Sequence, residues 1–173
     1  MGWAYDAGAE GPEGPTGPSG IDGITGPTGA TGAFQPSFLF AWKSDEQSPA
    51  PLGEEGSAVA FTAFEVIGTA LSSTSPTNIN VLESGYYYIS WDIYKTGYDS
   101  AFALYYNAAM LAGSNYGAMA HDEKYHGQTV SHLTAGGVLT LNRIDSLYTQ
   151  TILNEIGDRT LVTGASIVIM KIG

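Results

Sequence analysis

From residue 35 to residue 173, hydrophobic residues recur in short runs that Gly, Asn, Ser and Pro clusters separate. The runs are rich in aromatic and β-branched residues, which is typical of β-strands. No run has the spacing of an amphipathic helix, so we expect an all-β domain, either a β-sandwich or a jelly roll. The pattern predicts about nine strands, which are Ser37–Lys43, Ala58–Ile67, Thr77–Leu82, Tyr86–Thr96, Ala101–Asn107, Gln128–Leu133, Gly137–Asn142, Thr149–Leu153 and Ser166–Ile172.

One run has the composition of a helix. Residues 101–112 are rich in Ala and Leu, but Asn107 lies in the middle of the run, where it predicts a hairpin turn. The turn residues Ser114 and Asn115 follow soon after. We therefore interpret this run as strands rather than as a helix.

Two of the predicted strands carry more apolar side chains than one buried face needs. In the strand Tyr86–Thr96 one alternate set is apolar, and the other set is still dominated by tyrosine. The last strand is apolar on both faces apart from Ser166 and Lys171. An antiparallel sandwich normally leaves one strand face polar, so these patterns predict a second packing surface between chains. The candidates for the core of that interface are Tyr86, Tyr88, Trp91, Ile167 and Ile169.

The beginning of the chain has a different period. Glycine occupies every third position nine times in succession, at Gly8, Gly11, Gly14, Gly17, Gly20, Gly23, Gly26, Gly29 and Gly32. This spacing predicts a collagen-like triple helix, because only glycine fits at the axis where three polyproline-type chains meet. The sequence therefore divides into a tail (residues 1–7), a glycine-periodic segment (residues 8–34) and a head (residues 35–173).

The predicted triple helix requires three copies of the chain, and the glycine-periodic segment is weak on its own. Ordering the backbone costs about 1–2 kcal/mol per residue, and a hydrogen bond returns only about 1 kcal/mol net. Proline, which would lower that cost, occupies only Pro12, Pro15, Pro18 and Pro27. We therefore expect the head to be a homotrimer that holds the three segments together and raises their effective concentration.

Hydroxyl side chains follow many of the glycines of the segment at the third position of the triplet. The threonines Thr16, Thr25, Thr28 and Thr31 would point outward from a triple helix. They are candidate O-glycosylation sites, and plain solvated threonines are an equally good interpretation.

Charge and composition exclude several classes of function. The chain has 17 acidic and 6 basic residues, so its net charge is −11, and nucleic acid or an anionic membrane is not an expected partner. Cysteine is absent, which removes disulfides, thiolate nucleophiles and zinc bound by thiolate. The longest apolar runs, such as Phe38–Trp42, are much too short to span a membrane. We expect no cofactor and no membrane insertion.

No set of reactive residues indicates an enzyme, so we expect neither catalytic residues nor a resident metal. The histidines are His121, His126 and His132, and the densest polar cluster is the stretch from His121 to His126. We interpret this stretch as a solvated loop, with metal binding and catalysis as lesser alternatives. A threefold axis could also bring three copies of one acidic residue together as a calcium site, with Asp92, Asp99 and Asp122 as candidates and none of them assigned.

Particular stretches of the head are similar to the C1q/TNF-like superfamily. Residues 79–91, INVLESGYYYISW, resemble the strand–Gly–Tyr–strand element of that family, and GSNYG, GQTVSHLTAG and GASIVIMKI at residues 113–117, 127–136 and 164–172 also fit. Gly137 and Ala108 depart from common turn residues of the family. Together with the glycine period, the resemblance is closest to bacterial collagen-like proteins, such as the spore-surface (exosporium) glycoproteins of bacilli and clostridia. It implies a jelly-roll homotrimer at the end of a collagen-like stalk.

Two functions follow as hypotheses. The first is a structural homotrimeric surface fibre, extracellular and on a bacterial spore surface, whose head nucleates and caps the stalk and which a surface-anchoring protein could hold. The second is a receptor-binding or glycan-binding tip of an adhesin or phage tail fibre, in which loop aromatics such as Tyr98 and Tyr116 would stack on a sugar.

Overall fold

The computed structural model describes residues 1–2, 8, 10–21, 23, 36–44, 51–52, 57–119, 123–145, 150–153, 155–157 and 160–173. The chain divides into two compact units, Met1–Ala33 and Phe34–Gly173. The described residues of the first unit are exposed and belong to no helix or strand. Those of the second unit are all-β.

Fifteen strands and no helix form the described part of the second unit. The strands are β1 (Phe38–Lys43), β2 (Pro51–Leu52), β3 (Ala63–Ile67), β4 (Leu71–Ser73), β5 (Ile79–Val81), β6 (Gly85–Thr96), β7 (Ser100–Tyr106), β8 (Ala109–Met110), β9 (Tyr116–Ala118), β10 (Lys124–Leu133), β11 (Val138–Arg143), β12 (Gln150–Ile152), β13 (Glu155–Ile156), β14 (Thr160–Leu161) and β15 (Ala165–Lys171). Within the described ranges, no helix is long and apolar enough to cross a bilayer.

Two antiparallel sheets pack face to face. The first sheet has the order β10–β6–β15–β1–β3, and β12 and then β2 continue it beside the end of β6. The second has the order β4–β5–β11–β7–β8, with β9 also paired to β7. The strands β13 and β14 form a separate two-stranded sheet. The fold class expected from the sequence is confirmed.

Strand β6 shows how the alternating pattern produces the core. Its odd-numbered side chains Tyr87, Ile89, Trp91 and Ile93 are 0–1% exposed, and the even-numbered side chains face outward. The buried set meets apolar residues of the second sheet such as Phe102, whose ring centroid lies 5.9 Å from that of Trp91. The core therefore lies between the two sheets, as the period of two predicts.

The predicted strand Ala58–Ile67 is correct only from Ala63 onward. Before that point the chain crosses from one sheet to the other: the Val59 N–H donates to Leu141 O of the second sheet, and the Thr62 N–H donates to Trp42 O of the first. Val59 and Phe61 are buried during this crossing. Alternating burial was thus correctly indicated by the sequence, but continuous strand pairing was not.

The run that has the composition of a helix forms the hairpin β7–β8. Asn107 and Ala108 are in the left-handed region, with φ of 49° and 64°, which is the geometry of a two-residue hairpin turn. The predicted turn is confirmed. The strands that the sequence did not reveal are two or three residues long, too short for a period of two to be recognised.

The stretch from His121 to His126 was predicted to be a solvated loop, but its last three residues form the start of β10. Lys124, Tyr125 and His126 belong to that strand, which pairs with β6 along its full length, and Tyr125 is 4% exposed. His121 and Asp122 lie outside the described residues. The prediction of a loop rested on the many charged residues of this stretch. In the structure, pairing with the long strand β6 makes residues 124–126 part of a strand.

Candidate functional site

The outward side of the first sheet, here called the aromatic face, carries many aromatic and aliphatic side chains. Strand register places its side chains in cross-strand rows. The aromatic face comprises Phe38, Phe40 and Trp42 on β1; Ala63, Glu65 and Ile67 on β3; Tyr86, Tyr88, Ser90, Asp92 and Tyr94 on β6; Lys124, His126, Gln128, Val130 and His132 on β10; and Ser166, Val168 and Met170 on β15.

One row of the aromatic face is apolar across five strands. In the register, Val130 lies opposite Tyr88, Tyr88 opposite Met170, Met170 opposite Phe38, and Phe38 opposite Ile67. Val130 is 56% exposed, Met170 43% and Ile67 45%. An apolar row of this length on a monomer surface indicates an interaction site, because soluble monomers rarely leave such patches uncovered.

Ring contacts extend the apolar surface above and below this row. Phe40 and Trp42 stack with their centroids 5.0 Å apart. Tyr86, which is 54% exposed, meets His132 edge to face at 5.1 Å. These contacts hold large side chains in fixed positions on the surface, which lowers the entropy cost of covering them with a partner.

A small polar cluster interrupts the face near one end of β6. Asp92 accepts from His126 Nδ1 at 2.9 Å and pairs with Lys124 Nζ at 3.2 Å. Both partners are more than half exposed, so in the single chain these pairs contribute little stability. Asp92, one of the calcium candidates, is therefore already engaged by two side chains of β10.

The candidates for an inter-chain core divide into two groups. Trp91, Ile167 and Ile169 are 1%, 1% and 0% exposed and lie inside the sandwich, where a partner chain cannot reach their side chains. Their proposed role is corrected to that of core residues of the single chain. Tyr86 and Tyr88 do lie on the aromatic face. The sequence correctly indicated two apolar sides on β6 and β15, but it did not tell which side was internal.

The described glycines of the periodic segment have open surroundings. A Cβ atom placed on Gly8, Gly11, Gly14, Gly17, Gly20 or Gly23 would meet no atom within 4 Å. Thr16 is exposed, while Gly26, Gly29, Gly32, Thr25, Thr28 and Thr31 lie outside the described residues. Nothing within the single chain therefore requires glycine at the described positions.

One end of the sandwich is tied together by a hydrogen-bond network. Ser37 Oγ accepts from the N–H groups of Thr69 and Ala70, at 2.9 and 3.0 Å. Glu83 pairs with Lys171 at 2.7 Å, and the hydrogen bonds that it accepts from Lys171 and Thr69 lower its pKa. Thr69 also donates its hydroxyl hydrogen to Glu83, and the Lys171 N–H donates to Ser37 O at 2.9 Å, so the network links the residue before β1 to the end of β15.

The same network involves a buried tyrosine. Tyr87 donates its hydroxyl hydrogen to Glu83 O at 2.7 Å. Burial, together with the negative charge of Glu83 and the proximity of Tyr106, raises the pKa of Tyr87 to about 12. The phenol therefore stays neutral and remains a hydrogen-bond donor over the whole physiological range.

Three of the described cationic side chains are buried. Lys43, Lys95 and Arg143 are 3%, 0% and 1% exposed. The Lys95 ammonium donates to the carbonyls of Gly97 and Tyr98 and lies 4.8 Å from the centroid of the Tyr125 ring. Among the described basic residues only Lys124 has a mostly exposed side chain.

The outward side of the second sheet carries a cleft that the sequence reasoning missed. Its volume is about 380 Å³, and its lining is Tyr105, Asn107, Ala108, Val138, Thr140 and Asn142. The available signal was the alternation of β11, in which Val138, Thr140 and Asn142 occupy one side. Alternation within β11 does not show that these side chains meet Tyr105 and Asn107, because that depends on the pairing of β11 with β7.

The loop aromatics expected to stack on a sugar have other contacts. Tyr116 donates to Gln128 O at 2.8 Å and packs edge to face on Trp91, with centroids 6.2 Å apart. It therefore covers the edge of β10. Tyr98 is 52% exposed and its carbonyl binds Lys95. Within the part of the chain that the structure describes, no three His, Cys, Asp or Glu side chains are grouped to hold a metal ion.

Solved structures with the same arrangement of sheets identify the fold. Murine APRIL superposes with a TM-score of 0.58 at 11% identity, over 80% of this chain and 100% of that chain. The globular domain of zebrafish complement 1qA gives 0.51 at 10%, over 79% and 95%. The PRD1 vertex protein P5 gives 0.54 at 13%, over 82% and 100%. The head has the TNF/C1q-like jelly-roll fold.

These likenesses concern the fold alone, because the identities are low. No protein-family model matches the chain, and no curated protein matches it. The C1q/TNF-like part of the sequence resemblance is thus supported by these structures, whereas the resemblance to spore-surface glycoproteins is not tested by them and stays a prediction. The jelly-roll head presents two distinct outer surfaces, the aromatic face and the uncharged cleft.

Proposed function

We propose that the protein is a structural, non-enzymatic surface fibre, in which three chains associate through their aromatic faces and wind their glycine-periodic segments into a triple helix. The observation that carries this proposal is the apolar row Val130–Tyr88–Met170–Phe38–Ile67 on the outward side of the first sheet. A partner that covers the row removes exposed apolar side chains from water, at a gain of about 25 cal/mol per Å². A second and a third copy of the chain are the partners whose presence the glycine period already requires.

The glycine period supports the same stoichiometry independently. A Cβ on each described glycine of the segment would meet open space in one chain. A strict period of three therefore has no explanation inside the chain, whereas the axis of a triple helix excludes any side chain at every third position. The stalk would be about 80 Å long, at about 3 Å per residue.

Location and anchoring complete the proposal. A shaft with an exposed threonine such as Thr16, an acidic surface and a compact head suit an extracellular position, on a bacterial spore surface as the resemblance implies. A surface-anchoring protein would hold the fibre, and the threonines of the segment would be its O-glycosylation sites.

The oligomeric state of the full chain tests the proposed interface. Met170 lies in the middle of the apolar row, so Met170→Asp would place three carboxylates inside a trimer interface, each at a desolvation cost of several kcal/mol. Native mass spectrometry and sedimentation velocity should report a trimer for the wild type and monomers for Met170→Asp. Circular dichroism establishes that the variant is folded.

A matched variant controls for the added charge. Met119 is 87% exposed and does not belong to the aromatic face, so Met119→Asp should remain trimeric. A wild-type chain that stays monomeric at micromolar concentration contradicts the proposal. So does a Met170→Asp variant that assembles as well as Met119→Asp.

Ligand recognition by the head is the second candidate function, as in the tip of an adhesin or tail fibre. The specific observation that favours it is the cleft on the second sheet, whose lining has the chemistry of a sugar site. In a trimer this cleft would be present three times, so a weak individual site would still bind a multivalent surface.

A further inference from the structure

The cleft on the second sheet has a lining without any charged side chain. It measures about 380 Å³, which falls within the range of about 300–1,000 Å³ typical of small-molecule sites. The protein as a whole carries a net charge of −11. An uncharged concave surface on such a protein favours a neutral ligand, because a charged one would be left without an opposite charge in the lining.

The two strands of the floor fix the side chains of the cleft. Tyr105 of β7 lies directly opposite Thr140 of β11, and the neighbouring pair Leu104 and Leu141 is buried in the core. Tyr105 and Thr140 therefore stand on the outward side of the sheet, next to Asn142 two residues further along β11. A ring and a hydroxyl are thus held on rigid strands rather than on loops, beside Asn142, whose amide oxygen is buried.

The hairpin turn supplies the rim of the cleft and a second amide. Val138 N donates to Asn107 Oδ1 at 2.9 Å, and Asn107 N donates to Val138 O at 2.9 Å. Since the amide oxygen of Asn107 accepts this bond, its NH₂ group is the part left to donate to a ligand. The next residue, Ala108, has a φ of 64°, a conformation that alanine adopts only at a cost.

We infer that this cleft binds a neutral saccharide. The faces of a pyranose ring carry C–H groups that pack on an aromatic ring, which Tyr105 provides. Vicinal sugar hydroxyls both donate and accept hydrogen bonds, and amides and hydroxyls are the side chains that can do the same. The inference names the ligand class for the second candidate function, and it uses the proposed trimer only for avidity.

The position of the cleft is compatible with the proposed trimer. The aromatic face is the outward side of the first sheet, and the cleft is on the outward side of the second, so the sandwich separates them. Three chains that bury their aromatic faces would leave three clefts exposed. A monosaccharide can then bind weakly to one site while a surface that displays many copies binds tightly.

A glycan array probed with the full chain tests the inference. The probes are neutral glycans that end in hexoses or N-acetylhexosamines, together with sialylated and sulfated glycans. Tyr105→Leu keeps an apolar side chain but removes the ring, and Asn107→Gly keeps the left-handed turn but removes the amide. We expect neutral glycans to bind, and each variant to weaken binding about tenfold, the equivalent of about 1.4 kcal/mol.

Controls make each outcome decisive. Tyr98→Leu removes an exposed tyrosine outside the cleft and should leave binding within about twofold of the wild type, a difference well below the tenfold equivalent of about 1.4 kcal/mol. Binding to acidic glycans only, no binding to any neutral glycan, or a Tyr105→Leu variant that binds normally would overturn the inference. Native mass spectrometry on the same samples separates the two proposals: a trimer that binds no glycan refutes the cleft alone, and a monomer that binds refutes the trimer alone.

Discussion

Two glycines with positive φ show how differently the same backbone conformation can be constrained. Gly68 has a φ of 83°, and a Cβ there would overlap Ser37 Oγ and lie 2.8 Å from Pro36 O. Gly113 has a φ of 70° and no atom within 4 Å of the corresponding Cβ. Only the first glycine is required both by its conformation and by its neighbours.

Alanine at these positions should therefore have unequal effects. Gly113→Ala should cost about 1–2 kcal/mol, the conformational penalty of the left-handed region. Gly68→Ala should cost about 3 kcal/mol or more, because overpacking adds to that penalty and the Ser37 bonds to Thr69 and Ala70 are displaced. Urea unfolding at one fixed protein concentration measures both values. Equal losses would show that the contact with Ser37 and Pro36 has no energetic importance.

Asp145 forms an ion pair with the buried Arg143, with Oδ1 2.5 Å from Arg143 Nη2. Burial would raise the pKa of Asp145, but hydrogen bonds from Arg143, the Ala101 N–H and Ser100 outweigh it, with help from the charge of Arg143, and lower the pKa from 3.8 to about 2. Its ionised form is therefore favoured by folding. The corresponding stability is fully present above pH 3.8 and is lost as the pH falls towards 2.

The variant Asp145→Asn should reveal how much the ionised Asp145 contributes to the free energy of unfolding. At pH 7 the variant should lose about 3 kcal/mol of unfolding free energy, because Arg143 remains buried without its carboxylate. The difference from the wild type should shrink between pH 4 and pH 2.5, where the wild type loses the same contribution. Glu123→Gln removes an exposed carboxylate and should change stability little at either pH. A pH-independent loss in Asp145→Asn would contradict the assigned titration.

At the level of elements, the sequence predicted what depends on local alternation. The division of β6 into two alternating sets could be predicted because successive side chains of a strand point to opposite faces, and the left-handed turn at Asn107 could be predicted because Asn tolerates that conformation. The crossing of residues 58–62 between the sheets could not be predicted. Its buried Val59 and Phe61 alternate as in a strand, and only the partners of their backbone groups distinguish the two cases.

The candidate sites also divide into features that a local pattern predicts and features that depend on long-range pairing. Tyr86 and Tyr88 could be placed on a surface because both sides of β6 are apolar. Trp91 and Ile167 were assigned to the wrong surface, since an alternating pattern does not state which set faces the second sheet. The cleft at Tyr105 and Thr140 arises from the register between β7 and β11, a long-range property that no local pattern contains.

The glycine-periodic segment makes its own prediction as an element. Gly17→Val should lower the melting temperature of the collagen-type circular dichroism signal in the full chain, because a side chain at the axis disrupts the triple helix locally. Ser19→Val introduces the same side chain two residues away, at a position that would point outward, and should leave the melting temperature nearly unchanged. Equal melting of both variants would exclude a triple helix with this register, since a single chain has open space at Gly17.

At the scale of the whole molecule, the two outer surfaces of the sandwich have opposite characters. The aromatic face combines exposed apolar side chains with a small polar cluster around Asp92, while the cleft is uncharged and hydrogen-bonding. One surface suits permanent contact with identical chains, and the other suits reversible contact with a ligand. A fibre that assembles through one sheet keeps the other available.

Assembly through the head should control the stalk. The segment has few prolines and pays the full entropy of ordering three chains, so it should wind only when the heads bring its three copies together. Met170→Asp, which changes no residue of the segment, should therefore abolish the collagen-type circular dichroism signal at micromolar concentration. Met119→Asp should retain that signal.

The reverse change should have no such effect, because in the proposed assembly the heads associate through their aromatic faces and not through the stalk. Gly17→Val should remain trimeric in sedimentation velocity even when its collagen-type signal has melted, since the apolar row across β10, β6, β15, β1 and β3 is intact. This asymmetry defines nucleation by the head. If Met170→Asp keeps a cooperative triple-helix transition at the wild-type temperature, the segment trimerises by itself and the head only caps it.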